Sequence, residues 1–286
     1  MGFFDAPVSG MDTFQQMMNI IGNNISNSNT VGFKASEVNF ADMLSQTIKS
    51  GSGGPASGAT GIGGTNPQQV GLGVTLGSVN PVFTQGSLTQ TGTPSDMAID
   101  GSGFIAVSNV QSPTSASQIF YTRAGDFQVD SNGNLVTPNG YYVLGQTTAP
   151  SATQASSTFP NKAINILDAS GSPQQYTVGN NGQVSITNGA TPTYWIPIAN
   201  FPNPDGLEKI GNNLYAAPTG GNTGNVMYGQ AASGNFGAIN QGFLESSNVD
   251  LTKELSNMLI AQTGYSSNSK VISTQNQMFQ SLLQNV

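Results

Sequence analysis

The sequence predicts an α+β chain, with amphipathic helices at its two ends pairing as a coiled coil and an all-β domain between them. Three observations predict it. Apolar residues recur at three- and four-residue spacing near the N-terminus, an apolar heptad repeat runs to the C-terminus, and the middle replaces both with short alternating runs broken by turn dipeptides.

In the first helix the stripe is Phe4, Val8, Met11, Phe14, Met18, Ile21 and Ile25. Pro7 is tolerated only near a helix start, where its missing N–H is not needed, so the onset falls near Asp5 to Pro7. The amides after Gly22, among them Asn23, Asn24 and Asn27, cap the helix end and turn the chain toward Phe33 and Phe40. A second short apolar cluster, Val38, Phe40, Met43, Leu44 and Ile48, follows the Asn-rich stretch, and the N-terminal helical segment is placed at 1–46. The stretch "KSGSGGPASGATGIGGTNPQQ" then reads as a Gly/Ser-rich linker or extended arm over 47–69.

The all-β domain is placed at 70–240. Segments such as "DMAIDGSGFIAV" and "TYWIPIANF" hold β-branched and aromatic residues between turn signals. Asn132-Gly133, Asn139-Gly140 and Asn181-Gly182 suit turns that need positive φ.

The last segment, 241–286, carries the longest periodic signal. Leu251, Met258, Tyr265, Ile272, Phe279 and Val286 stand seven apart, with Leu255, Gln262, Ser269, Asn276 and Leu283 at the intervening positions. Asp250, or Ser247 three residues before it, offers an N-cap. One compact globule of 286 residues cannot bury both helical seams together with a β core, so the seams need other copies of the chain. Self-assembly is the expectation.

Composition narrows the chemistry. Fourteen acidic against seven basic residues, with Arg123 as the one arginine, leave no phosphate-backbone footprint, and nucleic acid is not an expected partner. Without histidine there is no Ser-His or Cys-His pair; without cysteine there is neither a disulfide nor a thiolate nucleophile. Asp96, Asp100, Asp126 and Asp130 fall at turns and strand ends, where Asp is ordinary, and are read as structural rather than as a glycosidase pair. "DSNGNL" begins like a calcium loop, but Tyr141 stands where an EF-hand needs a bidentate Glu, so a hairpin turn is the better reading. Tyr141, Tyr142, Tyr194 and Trp195 suit either a glycan-stacking face or packing, and packing is favoured. No enzyme activity, cofactor or metal is expected. No apolar run is long enough to span a membrane, and the N-terminus lacks the features of a cleaved signal.

The two ends together carry a resemblance. "VSGMDTFQQMMNIIGNNISNSNTVGFKASEVNFADMLSQTI" is similar to the N-terminal signature of bacterial flagellar axial proteins, the rod and hook family, and "GFLESSNVDLTKELSNMLIAQTGYSSNSKVISTQNQMFQSL" to its C-terminal signature. "GGTNPQQVGLGV" and "GSLTQTGTPSDMAIDGSGFIAV" resemble the hook subunit of that family, in its short form with a single outer domain, while "YTRAGDFQVDSNGNLV" and "GLEKIGNNLY" resemble segments shared by hook and distal rod. Asp5, Pro7 and Thr263 depart from the family pattern.

The resemblance implies a structural subunit of the flagellar hook, a curved hollow tube acting as a universal joint, with distal rod as the alternative and a secreted glycan-binding β domain as a further one. It implies a homopolymer that meets distal rod, hook cap and hook-filament junction proteins. Export would be type III, without a cleaved signal, to an extracellular position in the flagellum. The assembly seam would be Val8, Met11, Met18, Ile21, Ile25, Leu251, Leu255, Met258, Tyr265, Ile272, Phe279 and Val286. Asn23, Asn24 and Asn27 would supply uncharged hydrogen bonds at an intersubunit junction, where stacked charges would repel.

Overall fold

The computed structural model describes residues 5–54, 63–150, 159–167, 174–186, 194–218 and 220–284. Phe4, Val286 and the middle of the Gly/Ser-rich stretch lie outside them. The chain forms two compact units: Met1–Ser26, Ser36–Asn80 and Asp250–Val286 make the first, and Asn27–Ala35 with Pro81–Val249 the second.

The first unit is built on two helices, α1 (Asp5–Ser26) and α2 (Leu251–Gln284). Asp250 caps α2, its Oδ1 accepting the Thr252 N–H at 2.8 Å and the Lys253 N–H at 3.3 Å. The helices run antiparallel. Asn24 meets Glu254, Phe14 meets Gly264 and Gly10 meets Asn268, so position falls on one helix by as much as it rises on the other. Small residues allow the approach: a Cβ on Gly264 would stand 2.5 Å from Phe14 Cζ.

Four strands complete this unit. β1 (Ser36–Asp42) pairs with β4 (Val74–Pro81), and β2 (Ser45–Lys49) pairs antiparallel with β3 (Gln68–Gly71) in a ribbon that a Ser52–Thr65 bridge prolongs. Helix therefore occupies only part of the 1–46 segment, since Ser36–Asp42 is strand and β2 begins at Ser45. The described parts of the 47–69 stretch, residues 47–54 and 63–69, belong to this ribbon. Phe40 in β1 packs edge-to-face on Phe14 of α1, with ring centroids 6.1 Å apart.

The second unit is almost entirely β. Its strands are β5 (Leu88–Gln90), β6 (Met97–Asp100), β7 (Phe104–Ser108), β8 (Ile119–Thr122), β9 (Gln128–Val129), β10 (Leu135–Val136), β11 (Tyr142–Gly145) and β12 (Lys162–Ala163). They continue with β13 (Tyr176–Val178), β14 (Gln183–Ile186), β15 (Tyr194–Trp195), β16 (Ile198–Asn200), β17 (Glu208–Gly211), β18 (Leu214–Ala216), β19 (Met227–Gly229), β20 (Ala238–Gln241) and β21 (Phe243–Glu245). The main sheet runs β17-β18-β8-β7-β11-β10-β9, with β12 beside β11 and β16 between β7 and β19. β13-β14-β15 form a smaller sheet, and β20-β6 and β21-β5 form pairs.

β7 shows why "FIAV" reads as a continuous apolar run. Ile105 and Val107 enter one core cluster while Phe104 and Ala106 enter the other, so this strand is buried on both faces. The aromatic candidates are packing residues: Tyr194 lies in the first cluster, Tyr141 packs edge-to-face on Phe120, and Tyr142 and Trp195 are half-buried. Asp130 closes a hairpin turn, its carboxylate accepting the Asn132 and Asn134 N–H groups and the Asn134 side-chain amide. Asp96 accepts from the Thr91 hydroxyl and Asp100 from the Gln85 amide, and burial raises the pKa of Asp126.

Candidate assembly site

The face that joins α1 to α2 overlaps the heptad seam in part. In α2 the residues turned inward are Glu254, Ala261, Gly264 and Asn268, a repeat offset by three positions from the Leu251 series. At about 100° per residue that offset turns the contact face roughly 60° away from the apolar one. Met258 and Ile272 are half-buried, whereas Leu251, Leu255, Tyr265 and Phe279 are exposed. Burial within the chain therefore takes in part of the expected seam and leaves Leu251, Leu255, Tyr265 and Phe279 outside it. α1 behaves alike. Ile21 is buried and Met11, Met18 and Ile25 are half-buried, while Val8 is exposed and Gly10, Thr13 and Asn24 fill the buried face.

Large apolar side chains remain outward. Leu259, Ile260, Met278, Leu282 and Leu283 join the exposed seam residues of α2, and Leu283 is 74% exposed. Its last turns run past the described start of α1. Large apolar side chains left in water in this number, spread around the helix among polar ones, suit contact with a partner.

Of the junction amides, Asn24 is the most deeply buried. It is 1% exposed; its Nδ2 donates to Glu254 Oε1 at 3.1 Å and to the Ser36 carbonyl at 2.9 Å, and its Oδ1 accepts the Ser36 N–H at 3.0 Å. One amide thus holds the start of β1 and fixes the alignment of α2. Only an amide does this, because the site asks for donors and an acceptor together. Burial raises the pKa of Glu254, with the Asn24 hydrogen bond opposing. Asn23 is exposed, and Asn27 belongs to the second unit, where its side-chain oxygen accepts from the Thr30 hydroxyl at 3.1 Å.

A second polar centre, which sequence reading passed over, lies in the second unit. Lys34 Nζ donates to Glu245 Oε1 at 2.6 Å and to the Thr84 carbonyl at 2.7 Å; Arg123 Nη1 approaches Glu245 Oε2 at 3.4 Å, and the Gly86 N–H donates to the same carboxylate. Lys34 and Glu245 are fully buried and Arg123 is 4% exposed. Burial lowers the pKa of Lys34, with Glu245 opposing. The segment around Lys34 is held along its backbone too. Lys209 Nζ donates to the Lys34 carbonyl, Asn213 Nδ2 to the Val31 carbonyl, and the Gly32 N–H donates to the Glu245 carbonyl. Gly32 has φ +67°, and a Cβ there would stand 2.5 Å from the Ala124 nitrogen, so only glycine fits. The sequence signal was available: a lone arginine and an apolar-flanked lysine in a chain so poor in charge.

These two centres and the apolar face coincide with regions matched by known families. Residues 4–34 match the flagella basal body rod protein family, 98–186 the flagellar hook protein FlgE/F/G D1 domain, and 240–285 the flagellar basal body rod FlgEFG protein C-terminal family. Over 280 residues the chain is 41% identical to the flagellar basal-body rod protein FlgG of Bacillus subtilis, covering 96% of each. The chain belongs to the flagellar rod and hook family. It is also 37% identical over 281 residues to FlgG of Caulobacter vibrioides, again covering 96% of each. The flagellar hook protein FlgE of Borreliella burgdorferi is 45% identical, over 139 residues that make up 48% of this chain and 29% of that protein. Lys34, Arg123 and Glu245 fall one in each of the three matched regions, so the buried ion centre ties together the parts by which the family is recognised. Among the described residues no helix is long and apolar enough to cross a membrane.

Proposed function

We propose that this chain is a structural subunit of the flagellar distal rod. It would polymerise with copies of itself into a hollow tube, its exposed α2 face packing against neighbouring subunits and its ends meeting other rod and hook components. The observation that carries this reading is coverage: relatives named as rod proteins align over nearly the whole length of both chains, while the hook protein aligns over less than half of this one. That ordering reverses the preference drawn from the sequence motifs. The hook remains the second reading, favoured by its higher identity within the matched 139 residues.

The chemistry of the chain supports a polymer subunit. The helices meet through small and polar residues together with Phe14 and Ile21, and leave other large apolar side chains of α2 outside, an arrangement suited to packing between copies. Export unfolded through the flagellar type III route, to a position outside the cell membrane, accompanies this reading. Complementation decides between the two functions. A strain lacking its distal rod subunit should regain hooks and filaments when it expresses this chain, and a strain lacking only its hook subunit should not. Straight tubes by electron microscopy support the rod; curved tubes and rescue of the hook strain support the second reading.

A further inference from the structure

The buried ion centre is unbalanced. Lys34 and Arg123 share the single carboxylate of Glu245, so two basic side chains face one acid where water scarcely reaches. Arg123 is also short of acceptors: Nη2 donates to the Gly101 carbonyl at 2.8 Å and Nη1 reaches Glu245, while Nε has no partner among the described residues. An arginine carries five N–H donors and does not shed its proton, so the deficit cannot be relieved by neutralisation. Burial works against the charge, with Glu245 as the chief opposing influence.

Arg123 is also one of the residues that line a partly open cavity of about 400 Å³ in the second unit. Phe83, Phe104 and Phe201 line it together with Ser102 and Asn200, and Arg123 lies over the Phe104 ring, 5.5 Å from its centroid. Aromatic walls favour an apolar body, and the cation at one side favours a negative head. We propose that this cavity binds a carboxylate carried on an apolar or aromatic body, with the carboxylate against Arg123. A single guanidinium matches a monoanion, and the aromatic walls leave inorganic phosphate without further partners.

The test uses the full chain with sodium benzoate as probe, and benzyl alcohol, which has the ring without the charge, and phosphate as controls. Benzoate should raise the unfolding midpoint saturably, by about 3–6 °C at roughly ten times its dissociation constant. The alcohol and phosphate should not. Equal responses to benzoate and benzyl alcohol, or none to benzoate, overturn the proposal. Ser102→Glu, which brings a carboxylate to the cavity within the chain, provides a second reading against its uncharged counterpart Ser102→Gln. The Glu variant should melt higher and lose its benzoate response; equal midpoints with an intact benzoate response overturn the assignment to Arg123. Where benzoate binds, its effect on polymer growth identifies the natural source. Slowed growth assigns the carboxylate to a side chain of a neighbouring subunit, and unchanged growth assigns it to a dissolved molecule.

Discussion

Lys34 Nζ lies 2.6 Å from Glu245 Oε1, an ion pair with no solvent exposure that joins residues 211 positions apart. The pair fastens the segment Asn27–Ala35 into the second unit, yet in sequence that segment sits between α1 and β1 of the first. Removing the lysine leaves Glu245 buried with only Arg123 and the Gly86 N–H. Lys34→Met should therefore destabilise the second unit by about 3 kcal/mol, and combining it with Glu245→Gln should lose less than the two single effects added together. Chemical denaturation measures both. Hydrogen exchange should show protection lost first at Gly32 and Phe33; unchanged protection there would mean the backbone contacts of Lys209 and Asn213 hold the segment alone.

Asn24 and Asn23 separate folding from assembly. At Asn24 an aspartate loses the donor to Ser36 and sets a carboxylate against Glu254, so Asn24→Asp should cost about 2–4 kcal/mol in the stability of the first unit. Asn23 is exposed, and Asn23→Asp should cost less than Asn24→Asp. A comparable loss from both substitutions in thermal unfolding would contradict the special place given to Asn24.

Glu254 makes the same junction sensitive to pH. Its folded pKa is raised, so the folded unit holds the proton more tightly than the unfolded chain does, and ionisation works against folding at neutral pH. Stability from this group rises as pH falls through the raised value toward the ordinary carboxylate pKa of about 4.3. Glu254→Gln keeps an acceptor for Asn24 without the charge. It should be the more stable protein at pH 7, by a margin that shrinks through the carboxylate range and disappears below it; a margin independent of pH would assign the gain to something other than ionisation.

Period and punctuation made the elements legible. The three- and four-residue spacing gave α1 and α2, Asp250 gave the cap, and the Asn-Gly turns and alternating runs gave the β region. The contact face between the helices was legible only in part, because heptad reading counts large apolar residues while Gly10, Ala261, Gly264 and Asn268 bring the helices together through smallness and polarity. The apolar cluster Val38 to Ile48 is too short to show a decisive period; in the structure Val38 and Phe40 lie in β1 and Ile48 in β2, with Met43 and Leu44 between the two strands. The ion centre depends on contacts across most of the chain, and spacing along the sequence cannot show that Lys34, Arg123 and Glu245 meet.

Gly264 tests the close approach directly. In an exposed helix, replacing glycine by a residue with a Cβ usually gains stability, up to about 1 kcal/mol for alanine. Here the Cβ would enter the ring of Phe14, which is itself packed on Phe40. Gly264→Val should therefore lower the stability of the first unit despite the propensity gain, by about 1–3 kcal/mol. Gly264→Val with Phe14→Leu should recover part of that loss, and the absence of any recovery in denaturant titrations would place the strain elsewhere.

Phe279 and Leu283 carry the assembly argument in its simplest form. Both are exposed, at 51% and 74%, near the end of α2, where they form no part of a core in the single chain. Substituting serine at both should leave the folded monomer within about 0.5 kcal/mol of the parent. If copies of the chain pack against this face, each subunit also loses the burial of two large apolar side chains, about 1.5–3 kcal/mol apiece where they are fully covered. A polymer accumulates that loss at every addition. Tube growth, followed by light scattering and electron microscopy, should then fail or require a much higher protein concentration, while circular dichroism of the monomer stays unchanged. Growth at the parent's critical concentration would remove this face from the interface and leave the exposed residues nearer Leu251 and Leu255 as the place where neighbouring copies meet.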